Sequence, residues 1–312
     1  MCASGNKMRS ESPGKKNICA VIVTYHPDAC FSDHVECIAR QVGQVVVVDN
    51  HSDSVSVSML QDTCKELKVE LILNDCNLGV AAALNQGVNL AHEMAFSWAL
   101  LFDQDTRPLD FLVHTLAAVY KGYPEKDRLA VIGSNYYEGD GGRVSYESGS
   151  AANCLWMTQK AVITSGSLLS VSVFREIGPF RDELFIDNVD HEYCLRARGR
   201  GLDVVVTCTP VMMHSIGAVT WHNFLWRKAK TSNHSALRRY YMARNDIVIA
   251  KEYLSTEPVW VLGKLYSRFR SIILICFFEK NKLAKLKLSA FGFLDGLFSN
   301  FNRKVDHSMC DD

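Results

Sequence analysis

Four short, largely apolar runs in the first third of the chain each end in polar or acidic residues. That repetition constrains the fold more than any other feature. Residues 18–23 run into Thr24 and Tyr25, 45–48 into Asp49 and Asn50, 69–73 into Asn74 and Asn77, and 98–102 into Asp103 and Asp105. A short continuous apolar run reads as a strand buried on both faces. The stretches between them, one ending near Val42 and others at 59–67 and 80–95, read as helices. Strand–helix alternation at this spacing predicts an α/β fold, a Rossmann-like, mostly parallel sheet flanked by helices. Ligands bind such sheets beyond the carboxyl ends of the strands, so four polar ends in one sheet make one polar crevice.

Asp103 and Asp105 are the most pointed pair in that crevice. Side chains at i and i+2 of an extended chain share a side. Two carboxylates there suit Mg²⁺ or Mn²⁺ shared with a phosphate. An isolated Asp-x-Asp is more often a turn or helix cap, so the pair gains weight only from its setting. No Gly-x-Gly-x-x-Gly follows the first strand and no Gly-x-x-x-x-Gly-Lys-[Ser/Thr] occurs. A metal on acids therefore fits a diphosphate better here than a glycine loop does.

Further along, 111–120 reads as a helix and 130–134 as a strand, with a turn or loop at 138–142. Residues 162–170 read as a strand whose Gly166 marks a close backbone approach, and 173–177 as a short helix. A loop through Asp187 and Asn188 leads into a helix from about Val189, with Asp190 in its first turn and arginines at its end, as the helix dipole favours. Residues 204–207 read as a further strand, and 211–217 follow it.

Of 11 cysteines, none lies in a Cys-x-x-Cys pair, and Cys19, Cys76, Cys194 and Cys208 sit in or beside apolar runs. This reads as buried free thiols in a reducing compartment. The polar residues 1–16 read as a disordered tail without a signal peptide. The net charge of zero hides an asymmetry: residues 223–304 carry 16 Lys and Arg against 5 Asp and Glu. That segment contains the apolar stretch 258–278, interrupted by Lys264, Arg268 and Arg270, and more apolar residues at 291–301. It reads as basic, amphipathic helices lying on a membrane surface rather than crossing it. Packing on the rest of the chain, or a homodimer, is the alternative use of the same faces. Nothing indicates a nucleic-acid partner.

The chain resembles the inverting family 2 glycosyltransferases of GT-A fold, most closely their rhamnosyltransferase group. The resemblance is carried by Val23-Thr24-Tyr25, Val48-Asp49-Asn50-His51-Ser52, Asn77-Leu78-Gly79, Asp103-Gln104-Asp105 and Ser165-Gly166-Ser167. It continues with Phe185-Ile186-Asp187-Asn188-Val189-Asp190-x-Glu192, His214-x-x-Gly217 and Arg239-Tyr240-Tyr241-x-x-Arg244-Asn245. It implies a catalytic domain over 17–222, a helical region over 223–304 and a tail over 305–312. It implies transfer of L-rhamnose from dTDP-β-L-rhamnose to a cell-surface glycan or polyprenyl-diphosphate-linked oligosaccharide. The protein would then work in the cytoplasm at the inner face of the membrane. A UDP-sugar donor, or a non-catalytic sugar-binding module, are the other readings.

By the same resemblance Asp190 is the general base, and Glu192 orients it or binds acceptor. Asp105 holds Mg²⁺ or Mn²⁺ with His214 as second ligand. Asp103 contacts the ribose and Asp49 the pyrimidine edge, with Thr24, Tyr25, Asn77, Gly79 and Gln104 nearby. Asp187, Ser165, Gly166, Arg239, Tyr240 and Arg244 are the candidates for binding acceptor or diphosphate.

Overall fold

The computed structural model describes residues 11–139, 143–147, 154–214, 220–224 and 227–301. In chain order the first elements are β1 (Ile18–Thr24), α1 (Phe31–Ala39), β2 (Gln44–Asp49), α2 (Ser54–Leu67), β3 (Glu70–Leu73), α3 (Gly79–Glu93) and β4 (Trp98–Asp103). Next come β5 (Arg107–Pro108), α4 (Leu112–Gly122), β6 (Leu129–Glu138), β7 (Arg143–Val144), β8 (Trp156–Thr158) and β9 (Ser167–Ser170). They are followed by α5 (Val171–Ile177), α6 (Val189–Gly199) and β10 (Asp203–His214). The chain closes with β11 (Thr220–Phe224), β12 (Arg227–Thr231), α7 (Ala236–Tyr253), α8 (Pro258–Phe278) and α9 (Lys282–Leu297).

Two compact units result. The first holds Met1–Asn77, Ala83–Pro179 and Arg196–His214; the second holds Leu78–Ala82, Phe180–Leu195 and Ser215–Asp312. The acidic loop before α6, read from sequence as part of the catalytic domain, thus belongs with the C-terminal helices. The segment 223–304 is helical only from Ala236, because β11 and β12 pair first as a hairpin.

The first unit is built on a sheet ordered β3-β2-β1-β4-β9-β6-β10-β5. All seven residues of β1 are buried, as are five of six in β2 and in β4. Strands covered on both faces need no polar alternation, which is why these runs read so plainly. β3, β2, β1 and β4 are parallel. Beyond them the sheet is mixed, since β9 runs antiparallel to both β4 and β6. The chain leaves β1 towards β2 and β3, then returns to place β4 on the other side of β1. The crevice at that reversal lies outside the carboxyl ends of β1 and β4. Gly87 lets α3 lie directly on β1: a Cβ there would come within 2.2 Å of Val21 Cγ1.

Two expectations about this unit need correction. β10 is one 12-residue strand that runs on well past Thr207, because register shifts around Pro210 let it keep pairing with β6. Cys208 is not a free thiol: it forms a disulfide with Cys154, the two Cα atoms 5.9 Å apart. Pairing of β8 with β10, extended by the Cys208 N–H to Leu155 carbonyl bond at 3.1 Å, sets those cysteines side by side. Cys19, Cys64 and Cys194 are buried free thiols, whereas Cys76 is exposed. Burial pushes the Cys19 thiol up to about 12, so it stays protonated.

The second unit packs α7 against α9 around Ala236, Tyr240 and Leu288. Gly292 and Gly296 allow the approach, since Cβ atoms there would lie 2.2 Å from Tyr240 O and 2.5 Å from Arg244 O. Among the described residues no helix is long and apolar enough to cross a membrane.

Candidate active site

The acidic turn after β4 and the end of β10 are held together by β5. That two-residue strand pairs with β10 through Met213 opposite Arg107 and Met212 opposite Pro108. The pairing brings His214 beside Asp103 and Asp105, with one ligand atom from each lying within 4.8 Å of the others. Asp103 is half-buried, Asp105 exposed and His214 buried. Two hard carboxylates and an imidazole on separate segments fit a divalent cation that keeps open positions for water or phosphate oxygens.

The carboxylate of Asp103 is oriented from behind. Ser165 Oγ donates to Asp103 Oδ2 at 2.7 Å and accepts from the Asp103 N–H at 3.0 Å. Ser165 is therefore a support of Asp103 and not an acceptor-binding surface, since it is 0 % exposed. Gly166 is also internal. It has φ +73°, and a Cβ there would strike Met212 Sδ at 2.6 Å and Ser134 Cβ at 2.7 Å. The close approach expected at Gly166 thus comes from the protein itself.

At the ends of β1 and β2, Thr24 Oγ1 donates to Asp49 Oδ1 at 2.9 Å. Asp49 also accepts from the Ser52 N–H at 2.9 Å and Ser52 Oγ at 2.5 Å. These bonds fix the loop after β2 and explain how a carboxylate that is 1 % exposed is tolerated. Gln104 spans to the first loop, its Oε1 accepting the Tyr25 N–H at 2.7 Å. The Tyr25 ring is 42 % exposed, open to stack on a base. Asn77, in the same unit, is exposed.

The remaining candidates lie in the second unit. Gly79 is at φ +88° with the Phe185 ring where its Cβ would be. Phe185, Asp187 and Asn188 all have positive φ, at 61°, 65° and 62°. A non-glycine chain holds such a conformation only where its surroundings impose it. Here Asn245 imposes it, its Nδ2 donating to the carbonyls of Leu184, Ile186 and Asp187 at 2.8–2.9 Å. Asn188 Nδ2 donates to Asp246 Oδ1 at 2.8 Å. The loop delivers Asp190 to the first turn of α6, where its Oδ1 accepts the His191 N–H at 2.8 Å. Burial depresses the proton affinity of the His191 imidazole, so the ring next to Asp190 is neutral.

Other assignments are redrawn. Both oxygens of Asp187 accept from Arg238, at 3.0 and 3.1 Å. That bidentate pair ties the loop before α6 to the start of α7. Glu192 is 1 % exposed and accepts from Tyr253 Oη at 3.1 Å, joining α6 to α7. Arg239, Tyr240 and Arg244, candidates for diphosphate or acceptor binding, are engaged inside the second unit. Arg239 Nη2 pairs with Glu279 at 2.7 Å, Tyr240 Oη donates to Asp295 at 2.8 Å, and Arg244 donates to the carbonyls of Glu183 and Leu184. All three are buried. Sequence reasoning assigned no role to Thr106 or Asp246, and named Asn245 only as part of the motif that carries the resemblance. The signal for the last two was Arg244-Asn245-Asp246, three polar residues in a row in a helix with apolar residues on either side.

The comparisons agree with this architecture. The family model described as "Glycosyl transferase family 2" matches residues 19–175. The chain is 27 % identical over 298 residues to "dTDP-rhamnosyl transferase RfbF" of Shigella flexneri, covering 90 % of this chain and 95 % of that protein. Among solved structures it is similar to S. aureus TarS 1–349, with TM-score 0.57, 14 % identity, and 91 % of this chain and 82 % of that one covered. It is also similar to the mannosyltransferase PcManGT from Pyrobaculum calidifontis, solved with GDP-Man and Mn²⁺, with TM-score 0.55, 11 % identity, and coverage of 95 % and 92 %. Those two likenesses carry the fold, which is GT-A. The matched segment holds β1 to β4, the acidic turn and Ser165, and on that ground the protein is a glycosyltransferase enzyme belonging to glycosyl transferase family 2.

Proposed function

We propose that the enzyme moves L-rhamnose from dTDP-β-L-rhamnose to a hydroxyl of a glycan or polyprenyl-diphosphate-linked oligosaccharide, with inversion. The observation that carries the reading is the grouping of Asp103, Asp105 and His214 at the carboxyl edge of the sheet. The donor is supported by the relative named as a dTDP-rhamnosyl transferase, matched over 90 % of this chain.

Asp103, Asp105 and His214 would hold Mg²⁺ or Mn²⁺. When bound, the cation supplies positive charge against the diphosphate. Tyr25 stacks on the thymine, while Thr24, Asp49, Asn77 and Gln104 shape the nucleoside end. Asp190 takes the proton of the acceptor hydroxyl as its oxygen attacks the anomeric carbon. The bond from that carbon to the β-phosphate oxygen breaks on the opposite side, dTDP leaves, and the product is α-linked. Glu192 and Asp187 act through the helix and loop that carry Asp190.

Calorimetric titration with dTDP, UDP and GDP, each with and without Mg²⁺, tests this. Metal-dependent binding of dTDP in preference to the others is expected, and a preference for UDP would overturn the donor. Asp105→Ala should weaken dTDP binding at least tenfold with Mg²⁺ present and leave metal-free binding unchanged. Equal binding by variant and wild type would remove Asp105 from the metal site.

We further propose that the second unit rests on an anionic bilayer. Val259, Leu262, Tyr266, Phe269 and Phe277 are exposed along α8 at intervals that put them on one helix face. Leu283, Phe293, Leu294, Leu297 and Phe298 add exposed apolar surface on and just after α9. Exposed Arg270, Lys280, Lys282 and Lys287 accompany them, in a segment with a charge balance of +11. Lys285 is not part of this surface, since it is buried against Glu279. Apolar contact plus basic charge is the pattern of interfacial helices. Flotation with liposomes containing anionic lipid should carry the full chain upward, and Tyr266→Glu with Phe269→Glu should release it. A chain left at the bottom of the gradient would refute the membrane contact.

A further inference from the structure

Three hydrogen bonds join Asp103 to His214 through two hydroxyls, and the direction of each is forced. A carboxylate only accepts, so at the 2.7 Å contact Ser165 Oγ gives its one proton to Asp103 Oδ2. Ser165 Oγ must then accept from Thr106 Oγ1 at 2.9 Å, which uses the only proton Thr106 has. At the 3.1 Å contact between Thr106 Oγ1 and His214 Nδ1 the proton therefore comes from the imidazole. Nδ1 is protonated, and the lone pair of the neutral ring is left on Nε2.

The surroundings favour the same arrangement. Thr106 and Ser165 are each 0 % exposed, so bulk water does not compete for their protons. The Tyr136 ring meets the imidazole edge-on with centroids 5.5 Å apart, which restricts rotation of the ring. Asp105 gives Nδ1 no alternative acceptor, because its Oδ1 is 3.8 Å away, beyond hydrogen-bond range.

We propose that Thr106 and Ser165 are positioning residues. They hold His214 as the Nδ1–H tautomer, which leaves the Nε2 lone pair as the one the neutral ring can offer a divalent cation, and they tie its orientation to that of Asp103. The proposal rests on the metal-site reading above. Partners on the far side of a ligating histidine fix its tautomer and ring orientation, and losing them typically costs about 10–100-fold in metal affinity. A packing role alone would be satisfied by Thr106→Val, which keeps the shape and removes the hydroxyl.

The relay makes opposite demands on two variants. Thr106→Val leaves the Nδ1 proton without an acceptor. Ser165→Ala frees the Thr106 hydroxyl to donate to Nδ1, which drives the ring towards the Nε2–H tautomer. ¹⁵N NMR of the histidine-labelled full chain without metal reads the tautomer directly, with His214→Gln assigning the signal. The expected result is Nδ1–H in wild type and in Thr106→Ser, a mixture in Thr106→Val, and Nε2–H gaining most in Ser165→Ala. Titration with Mn²⁺ in the presence of dTDP should show a loss of about 10–100-fold for Thr106→Val and Ser165→Ala, with Thr106→Ser near wild type. An Nε2–H tautomer in wild type would overturn the proposal, as would unchanged tautomer and Mn²⁺ affinity in both loss variants. Wild type that binds no Mn²⁺ while showing the Nδ1–H tautomer would overturn the metal site itself, a failure distinct from that of the relay.

Discussion

Replacing Asp190 by Asn lowers turnover by about 10²–10⁴-fold, the range that a positioned base contributes, and leaves metal-dependent dTDP binding intact. The amide is nearly the same size as the carboxylate but cannot take the acceptor proton. It can still accept the His191 N–H that now holds Oδ1 at 2.8 Å. Loss of a negative charge in the first turn of α6 costs only about 0.3–1 kcal/mol of helix stabilisation. The measurement is steady-state transfer from dTDP-rhamnose alongside calorimetric dTDP affinity. A fall in kcat with unchanged affinity supports the base. Turnover within tenfold of wild type would remove Asp190 from that role, and so would weakened nucleotide binding as the whole effect.

The largest stability change is expected at Glu279→Ala. The Glu279 side chain is 1 % exposed and sits between two cations that are themselves buried, Arg239 at 2.7 Å and Lys285 at 2.8 Å. Taking one partner out of a buried ionic group leaves uncompensated charge and costs about 3–5 kcal/mol. Here two cations would be stranded at once. Burial already opposes the charge on Arg239, which holds its proton less tightly than an exposed arginine does. Glu279→Gln, which keeps acceptor oxygen but loses the charge, should fall in between. Chemical denaturation followed by circular dichroism reads the effect. Equal midpoints for Glu279→Ala and wild type would mean that the triad does not hold α7, α8 and α9 together.

The sheet was legible because its central strands are buried on both faces. Runs such as Val45–Val48 carry that message residue by residue, and polar residues appear where each strand leaves the core. Boundaries were less legible where a single interaction decides them. α2 begins at Ser54, five residues before its apolar periodicity does, because Asp53 caps it by accepting from the Val55 and Ser56 N–H groups at 2.9 Å. Three serines and two valines, weak helix formers on their own, are carried by that cap. β9 gave the opposite error: the stretch 162–170 reads as one strand, yet only Ser167–Ser170 pairs. The residues before it turn through Gly166 and tie back to β4 through the Gly166 N–H to Leu101 carbonyl bond at 2.8 Å.

The acids of the candidate site were found in sequence, and Ser165 and Asn245 were marked beside them, but what those two hold in place was not. Asp103, Asp105 and Asp190 stand out because short-range pattern sets them at the end of a strand or the start of a helix. Arg239 and Arg244 looked equally functional, and their actual work is internal. Whether a charged side chain faces a ligand or a buried partner depends on what packs over it. That partner can be remote: Glu279 lies 40 residues from Arg239, and His214 lies 108 residues from Thr106. The sequence by itself determined the parallel core strands and the polar ends that line one crevice, since alternation and burial on both faces are local patterns. Only the tertiary structure decided that β5 pins His214 to the acidic turn, that Asn245 holds the loop before Asp190, and that two arginines brace helices. Each of those depends on hydrogen bonds and desolvation between segments that no local window of residues contains.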